Sequence, residues 1–140
     1  MRLSIRNQFD GEVVDIARGE VMGTVRTRLT GGTEITAAIT LEAVDELGLA
    51  VGGPAVVLVK STEVSVAVGP VGLLSIRNHI PATVSSVDHG AVMTTVKLAI
   101  AGDQELTAAI TREGAEDLGL AAGDEVIALV KSTEVSVGVR

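Results

Sequence analysis

The chain has no cysteine, tryptophan or tyrosine, and Phe9 is its one aromatic residue. Without thiols there is neither a disulfide nor a thiolate metal site. Proteins grip single-stranded nucleic acid with stacking rings inside a positive groove. This chain lacks the rings, and its net charge of -7 opposes a polyanion, so nucleic acid is not an expected partner. The longest apolar stretch, Val64 to Ile76, is interrupted by Gly69-Pro70 and is too short to span a bilayer. The opening Met1-Arg2-Leu3-Ser4-Ile5-Arg6-Asn7 has no signal-peptide core. A soluble, cytoplasmic protein without a membrane partner is the expectation.

What is present is written twice. Lys60-Ser61-Thr62-Glu63-Val64-Ser65-Val66 returns unchanged as Lys131 to Val137. Ser4-Ile5-Arg6-Asn7 returns as Ser75 to Asn78, and Thr36-Ala37-Ala38-Ile39-Thr40 as Thr107 to Thr111, all at one offset. The chain is thus a unit of about 70 residues in tandem, expected as domains 1–68 and 73–140 joined by 69–72. Between Gln8 and Glu20 only Val13 and Gly19 match, whereas a polar Lys-Ser-Thr and Ser-x-Arg-Asn persist. Core packing needs apolar volume, not particular cations and hydroxyls, so this polar persistence points to a ligand or to a recent duplication.

Within each unit, Leu3 to Asn7 alternates like a half-buried strand, Gly11 allows a turn, and Glu12 to Ile16 reads as a second strand. Ala17 to Glu20 reads as a hairpin turn, followed by strands over Val21 to Leu29 and Glu34 to Ile39. Thr40 and Thr111 suit the start of a short helix, and Gly48 and Gly119 suit its end. Ala55 to Val59 and Val126 to Val130 are continuous apolar runs that want cover on both faces. The other half or a second subunit would have to supply it, which argues for an oligomer. Met22 and Met93, at matching strand positions, read as core filler. The predicted class is all-β with one short helix per repeat: two tandem OB-like barrels of five or six strands.

Catalytic groups are scarce. His79 and His89 face Gln8 and Arg18 in the other repeat, so no duplicated histidine site exists. No H-E-x-x-H, nucleophile elbow, Walker loop or Rossmann fingerprint occurs, the acids are scattered, and no direct cation ligands are expected. The chain reads as a non-enzyme. The repeated polar set, by contrast, is rich in donors: Arg6 and Lys60 with Ser4, Ser61 and Thr40, the last opening a helix. A fully deprotonated tetrahedral dianion, which only accepts, matches that set. The competing reading leaves Arg6 and Lys60 as surface charges and Thr40 as a cap.

Ser4-Ile5-Arg6-Asn7, the Ala38-Ile39-Thr40 ending, Leu47-Gly48-Leu49 and Lys60-Ser61, in this order in both halves, resemble the molbindins, molybdate-binding proteins built from Mop (TOBE-type) domains. The resemblance covers essentially the whole chain twice, as in a tandem di-Mop protein. It implies a homotrimer of OB-like barrels holding molybdate or tungstate between subunits, for storage and homeostasis in the cytoplasm. The carried-over sites are Ser4, Arg6, Thr40, Lys60 and Ser61, and Ser75, Arg77, Thr111, Lys131 and Ser132, with Asn7 and Asn78 orienting the arginines. Further axial sites would fall on the backbone of Gly19-Glu20-Val21 and Gly90-Ala91-Val92, with Glu20 opposing an anion at the first. Some relatives carry a serine three residues after the threonine; Ala43 and Gly114 stand there, so any contact must be backbone. The alternative function is a molybdate-responsive sensor acting on a transporter or DNA-binding partner.

Overall fold

β1 (Asn7–Arg18), β2 (Met22–Leu29) and β3 (Glu34–Thr40) form an antiparallel meander, and α1 (Leu41–Glu46) leads to β4 (Pro54–Val59), which returns beside β1. A 3-10 turn over Ser61–Glu63 precedes the short β5 (Ser65–Ala67). The second repeat supplies β6 (Asn78–His89), β7 (Met93–Ile100), β8 (Gln104–Thr111), α2 (Arg112–Leu118), β9 (Glu125–Val130) and β10 (Val135–Gly138) in the same order. The computed structural model describes all 140 residues. Each half curls into a barrel-like sheet of five strands, the OB-like class expected. Neither helix is long and apolar enough to cross a membrane.

The barrels do not coincide with the sequence repeats. Their orders are β10-β4-β1-β2-β3 and β5-β9-β6-β7-β8, so each repeat gives its last strand to the other's sheet. Ser65 pairs with Leu129, and Val135 with Val59. The two units expected at 1–68 and 73–140 are therefore entwined, each barrel closed by the other's Val-Ser-Val ending. This exchange also answers the question of cover. Ala55 through Val59 are all buried within a single chain, as are Val126, Ala128, Leu129 and Val130. The exchanged strands and the shared core supply that cover, so the apolar runs by themselves call for no second subunit.

One hydrophobic core of 21 buried residues joins both repeats, from Phe9, Leu29 and Val57 to Leu98, Leu106 and Val130. A unit near 70 residues is marginal alone; shared burial relieves that. The contacts between repeats come in reciprocal pairs. The turn at Gly31 meets the turn at Gly102, where a Cβ on Gly31 would lie 2.8 Å from the Gly102 Cα and strike the Ala101 carbonyl. Asn7 reaches Thr107, and Asn78 reaches Thr36. Such reciprocity is that of an isologous dimer, here written into one chain.

Three local expectations change. Leu3 to Arg6 is not in a strand; β1 runs unbroken from Asn7 through Gly11, with a bulge between Val13 and Asp15. Gly11 permits close approach rather than a turn, since a Cβ there would lie 2.6 Å from the Thr27 Cγ2 and 2.7 Å from the Arg28 carbonyl oxygen. Met22 and Met93 are not core: they are 45% and 43% exposed. The two-residue period of a strand places Met22 on the outer face with Thr24, Arg26 and Arg28, while Val25 and Leu29 point inward.

The helix ends follow the expected chemistry. Thr40 Oγ1 accepts from the Ala43 N–H at 3.2 Å and Thr111 Oγ1 from the Gly114 N–H at 3.1 Å. Gly119 closes α2 in the left-handed region, where a side chain would be strained.

Candidate anion-binding site

Register builds the site. Asn7 pairs with Val59, and Asn78 with Val130. The residues just before β1 and β6 are thereby set against those just after β4 and β9. In the second repeat this gathers Ser75, Ile76, Arg77, Lys131, Ser132 and Thr133 around an open cleft of about 290 Å³. In the first, Ser4, Ile5, Lys60, Ser61 and Thr62 line one of about 220 Å³. Pockets for drug-sized ligands begin near roughly 300 Å³, so these suit a compact ligand.

The charge pattern singles out the same residues. Of 11 Lys and Arg side chains, Arg18, Arg26, Arg28, Lys97, Arg112 and Arg140 lie within 4 Å of a carboxylate. Arg6, Lys60, Arg77 and Lys131 have no carboxylate partner, and Arg2 is the one other cation without one. In a chain with 18 acids, four predicted anion ligands are left unneutralised. Ser132 adds a second sign: its Oγ is buried with no hydrogen-bond partner. A buried hydroxyl without a partner carries a desolvation cost that a bound acceptor would remove.

The clefts bring together Ser75, Arg77, Lys131 and Ser132 in one repeat, and Ser4, Lys60 and Ser61 in the other. Arg6 instead lines the adjoining N-terminal cleft, which it shares with Ser4. Thr40 and Thr111 line neither anion cleft. Asn78 holds β3 at Thr36, and Thr40 is four residues further along, about 13 Å at the rise of a strand. Arg26, Arg28 and Glu34 form ion pairs on the outer face of the same hairpin.

Asn7 and Asn78 are corrected to a different role. Both are buried. Asn7 Nδ2 donates to the Thr107 carbonyl and its Oδ1 accepts from the Thr107 N–H, both at 2.8 Å. Asn78 does the same to Thr36, at 2.9 and 2.8 Å. Each carboxamide imitates a strand partner for the edge of the opposite barrel instead of orienting an arginine.

At the hairpin tips, the Gly19 N–H donates to Met22 O and the Gly90 N–H to Met93 O, so these two donors are engaged in closing the turns. The N–H groups of Glu20, Val21, Ala91 and Val92 donate to no backbone carbonyl. His79 Nε2 lies 2.8 Å from Ile76 O, and His89 Nδ1 lies 2.8 Å from Thr94 Oγ1, each serving local structure. No group of three or more His, Asp or Glu side chains is placed to hold a metal ion. A larger groove of about 670 Å³ between Gly69 and strands β6, β7 and β9 carries Glu125 as its one charged side chain and suits no anion.

Arg2 is the unpaired cation that the repeat does not single out, because Leu73 occupies its place in the second copy.

The TOBE domain family matches twice, over residues 3–66 and 74–137. The chain is 37% identical over 141 residues to the molybdenum transport protein ModE of Herbaspirillum seropedicae, covering 100% of this chain and 52% of that protein. It is 38% identical over 136 residues to the molybdenum-pterin-binding protein MopB of Rhodobacter capsulatus, covering 96% of this chain and 50% of that one. It therefore spans about half the length of these curated relatives. Among solved structures it is similar to the cytoplasmic molybdate-binding protein ModG, crystallised with molybdate bound, at TM-score 0.96 and 37% identity over 100% of both chains. With two copies of the domain end to end, the chain belongs to the TOBE-domain family as a di-Mop protein of the molbindin type.

Proposed function

We propose that this chain binds molybdate or tungstate without catalysis, as a cytoplasmic store that buffers the oxyanion. The observation that carries the reading is the unneutralised cation and hydroxyl set at matching clefts of both repeats. The names of MopB and ModG support the choice of anion. Arg77 and Lys131 would supply charge-assisted hydrogen bonds, and the hydroxyls of Ser75 and Ser132 neutral ones. Lys60, Ser4 and Ser61 would do the same in the first repeat, with Arg6 turning in from the adjacent cleft. Two cations in a partly buried cleft outweigh a diffuse surface charge that salt screens beyond about 8 to 10 Å. Sulfate is also a dianion, so its rejection would rest on size.

The clefts are open, and the capping threonines stand apart from them within one chain. Both facts favour sites completed at subunit interfaces, with Thr40 or Thr111 offered by a neighbouring copy in a homotrimer. The exposed tips around Glu20-Val21 and Ala91-Val92, with free N–H groups, are the places for axial sites in such an assembly.

Calorimetric titration with molybdate, with sulfate as competitor and the oligomeric mass measured alongside, tests this reading. Saturable binding that excess sulfate does not displace, at more anions than chains, is expected. Arg77→Ala with Lys131→Ala should remove one class of sites and leave the fold intact; unchanged stoichiometry would overturn the assignment. A second reading, a regulatory module, is favoured by the match to ModE, a molybdenum transport protein. Co-purification of a transporter or DNA-binding partner that depends on molybdate would select it.

A further inference from the structure

The N-terminal cleft has no counterpart in the second repeat. Met1, Arg2, Leu3, Ser4, Arg6 and Gln8 line an open space of about 760 Å³ with two guanidinium groups and no carboxylate. Neither Arg2 nor Arg6 is paired with an acid anywhere in the chain. Gln8 Nε2 donates to Ile5 O at 2.9 Å, which ties the segment back on itself and holds the cleft's shape. Ser4 lines both this cleft and the smaller one of Lys60 and Ser61, so the two adjoin. In the second repeat Leu73 replaces Arg2, His79 replaces Gln8, and Arg77 lines the inner cleft directly.

We infer that Arg2, Arg6 and Ser4 form an outer oxyanion subsite that captures a compact dianion and passes it to the Lys60–Ser61 cleft, for the first repeat alone. The inference rests on the reading of the inner clefts as oxyanion sites. The outer space is too wide to enclose a tetrahedral anion, so it binds weakly and acts on the rate of entry. Two fixed cations at the mouth of a cleft raise the local concentration of a dianion, and added salt screens them within about 8 Å. The second repeat, where exposed Leu73 stands in place of Arg2, has no such collector. The two repeats should therefore fill at different rates even where their inner ligands are the same.

The test measures molybdate association by stopped flow at low and high ionic strength, with a chelating dye reporting free molybdate because the chain has no tryptophan. The second-repeat site is silenced in the full chain by Lys131→Ala with Ser132→Ala. Against that background Arg2→Leu should lower the association rate about 3- to 10-fold at low salt and flatten its salt dependence, with dissociation unchanged. In the mirror background, carrying Lys60→Ala with Ser61→Ala, Leu73→Arg should speed loading of the second repeat. Intact binding with the same association rate in Arg2→Leu would overturn the outer subsite and leave the inner sites standing. No molybdate association by the unmodified chain would overturn both.

Discussion

At the scale of single residues, the buried asparagines act between the repeats. Asn7→Ala would leave the Thr107 N–H and carbonyl without their partners in a buried setting. At about 1 to 3 kcal/mol for each orphaned group, softened by local settling, a loss of about 2 to 4 kcal/mol is expected in urea unfolding. Thr27 is the opposite case. Its hydroxyl is 1% exposed as a residue and has no partner, and Leu98 stands there in the second repeat. Thr27→Val keeps the shape and removes the stranded oxygen, so it should raise stability by about 1 kcal/mol in the same assay. Residue chemistry was partly legible in the sequence. The unpaired Lys60 and Lys131 were found because both copies keep them. The asparagines belong to the same motif, but its pattern suggests that they orient the arginines, because nothing local shows that the Asn7 carboxamide meets a strand a hundred residues away.

At the scale of elements, hairpins and caps were read from the chain because their causes are local. Thr40, Thr111, Gly48 and Gly119 end their helices where turn chemistry places them. Gly11 signals a turn that would break β1 in two, while its true cause, the Thr27 methyl across the sheet, is non-local. The helices also differ between repeats. Arg112 donates to Glu116 at 2.7 Å and to the Gly90 carbonyl at 3.1 Å, tying α2 to the β6–β7 turn, where the first repeat has Leu41. The Arg112 hydrogen bond, and then its charge, hold the Glu116 carboxyl below the usual carboxylate range. A lowered folded pKa stabilises above the unfolded value, and that contribution disappears as pH falls through the folded one. Carbon-detected titration should show Glu116 moving up to the ordinary range in Arg112→Leu.

At the scale of the whole molecule, the exchange of β5 and β10 was beyond sequence reading for a simple reason. The two endings share Lys-Ser-Thr-Glu-Val-Ser-Val, so either could complete either barrel, and no residue preference names the partner. Only the path of the chain decides. Because each repeat's last strand lies in the other's sheet, one repeat in this arrangement lacks a strand and carries a spare one. A chain cut to residues 1–71 should not persist as a monomer; it should pair with a second copy and melt at a temperature that rises with its concentration. The full chain should melt independently of dilution, provided that higher assembly is held constant.

That difference gives the linker Gly69-Pro70-Val71-Gly72 a meaning beyond connection. A tether this short converts an encounter between two molecules into a closure within one, at an effective concentration on the order of millimolar. The entwined pair is thus independent of how much protein a cell makes. Protease cleavage within the tether would not release two halves, since each is threaded through the other's sheet. The nicked protein would stay whole in size and differ only in how it recovers from unfolding, which would become second order.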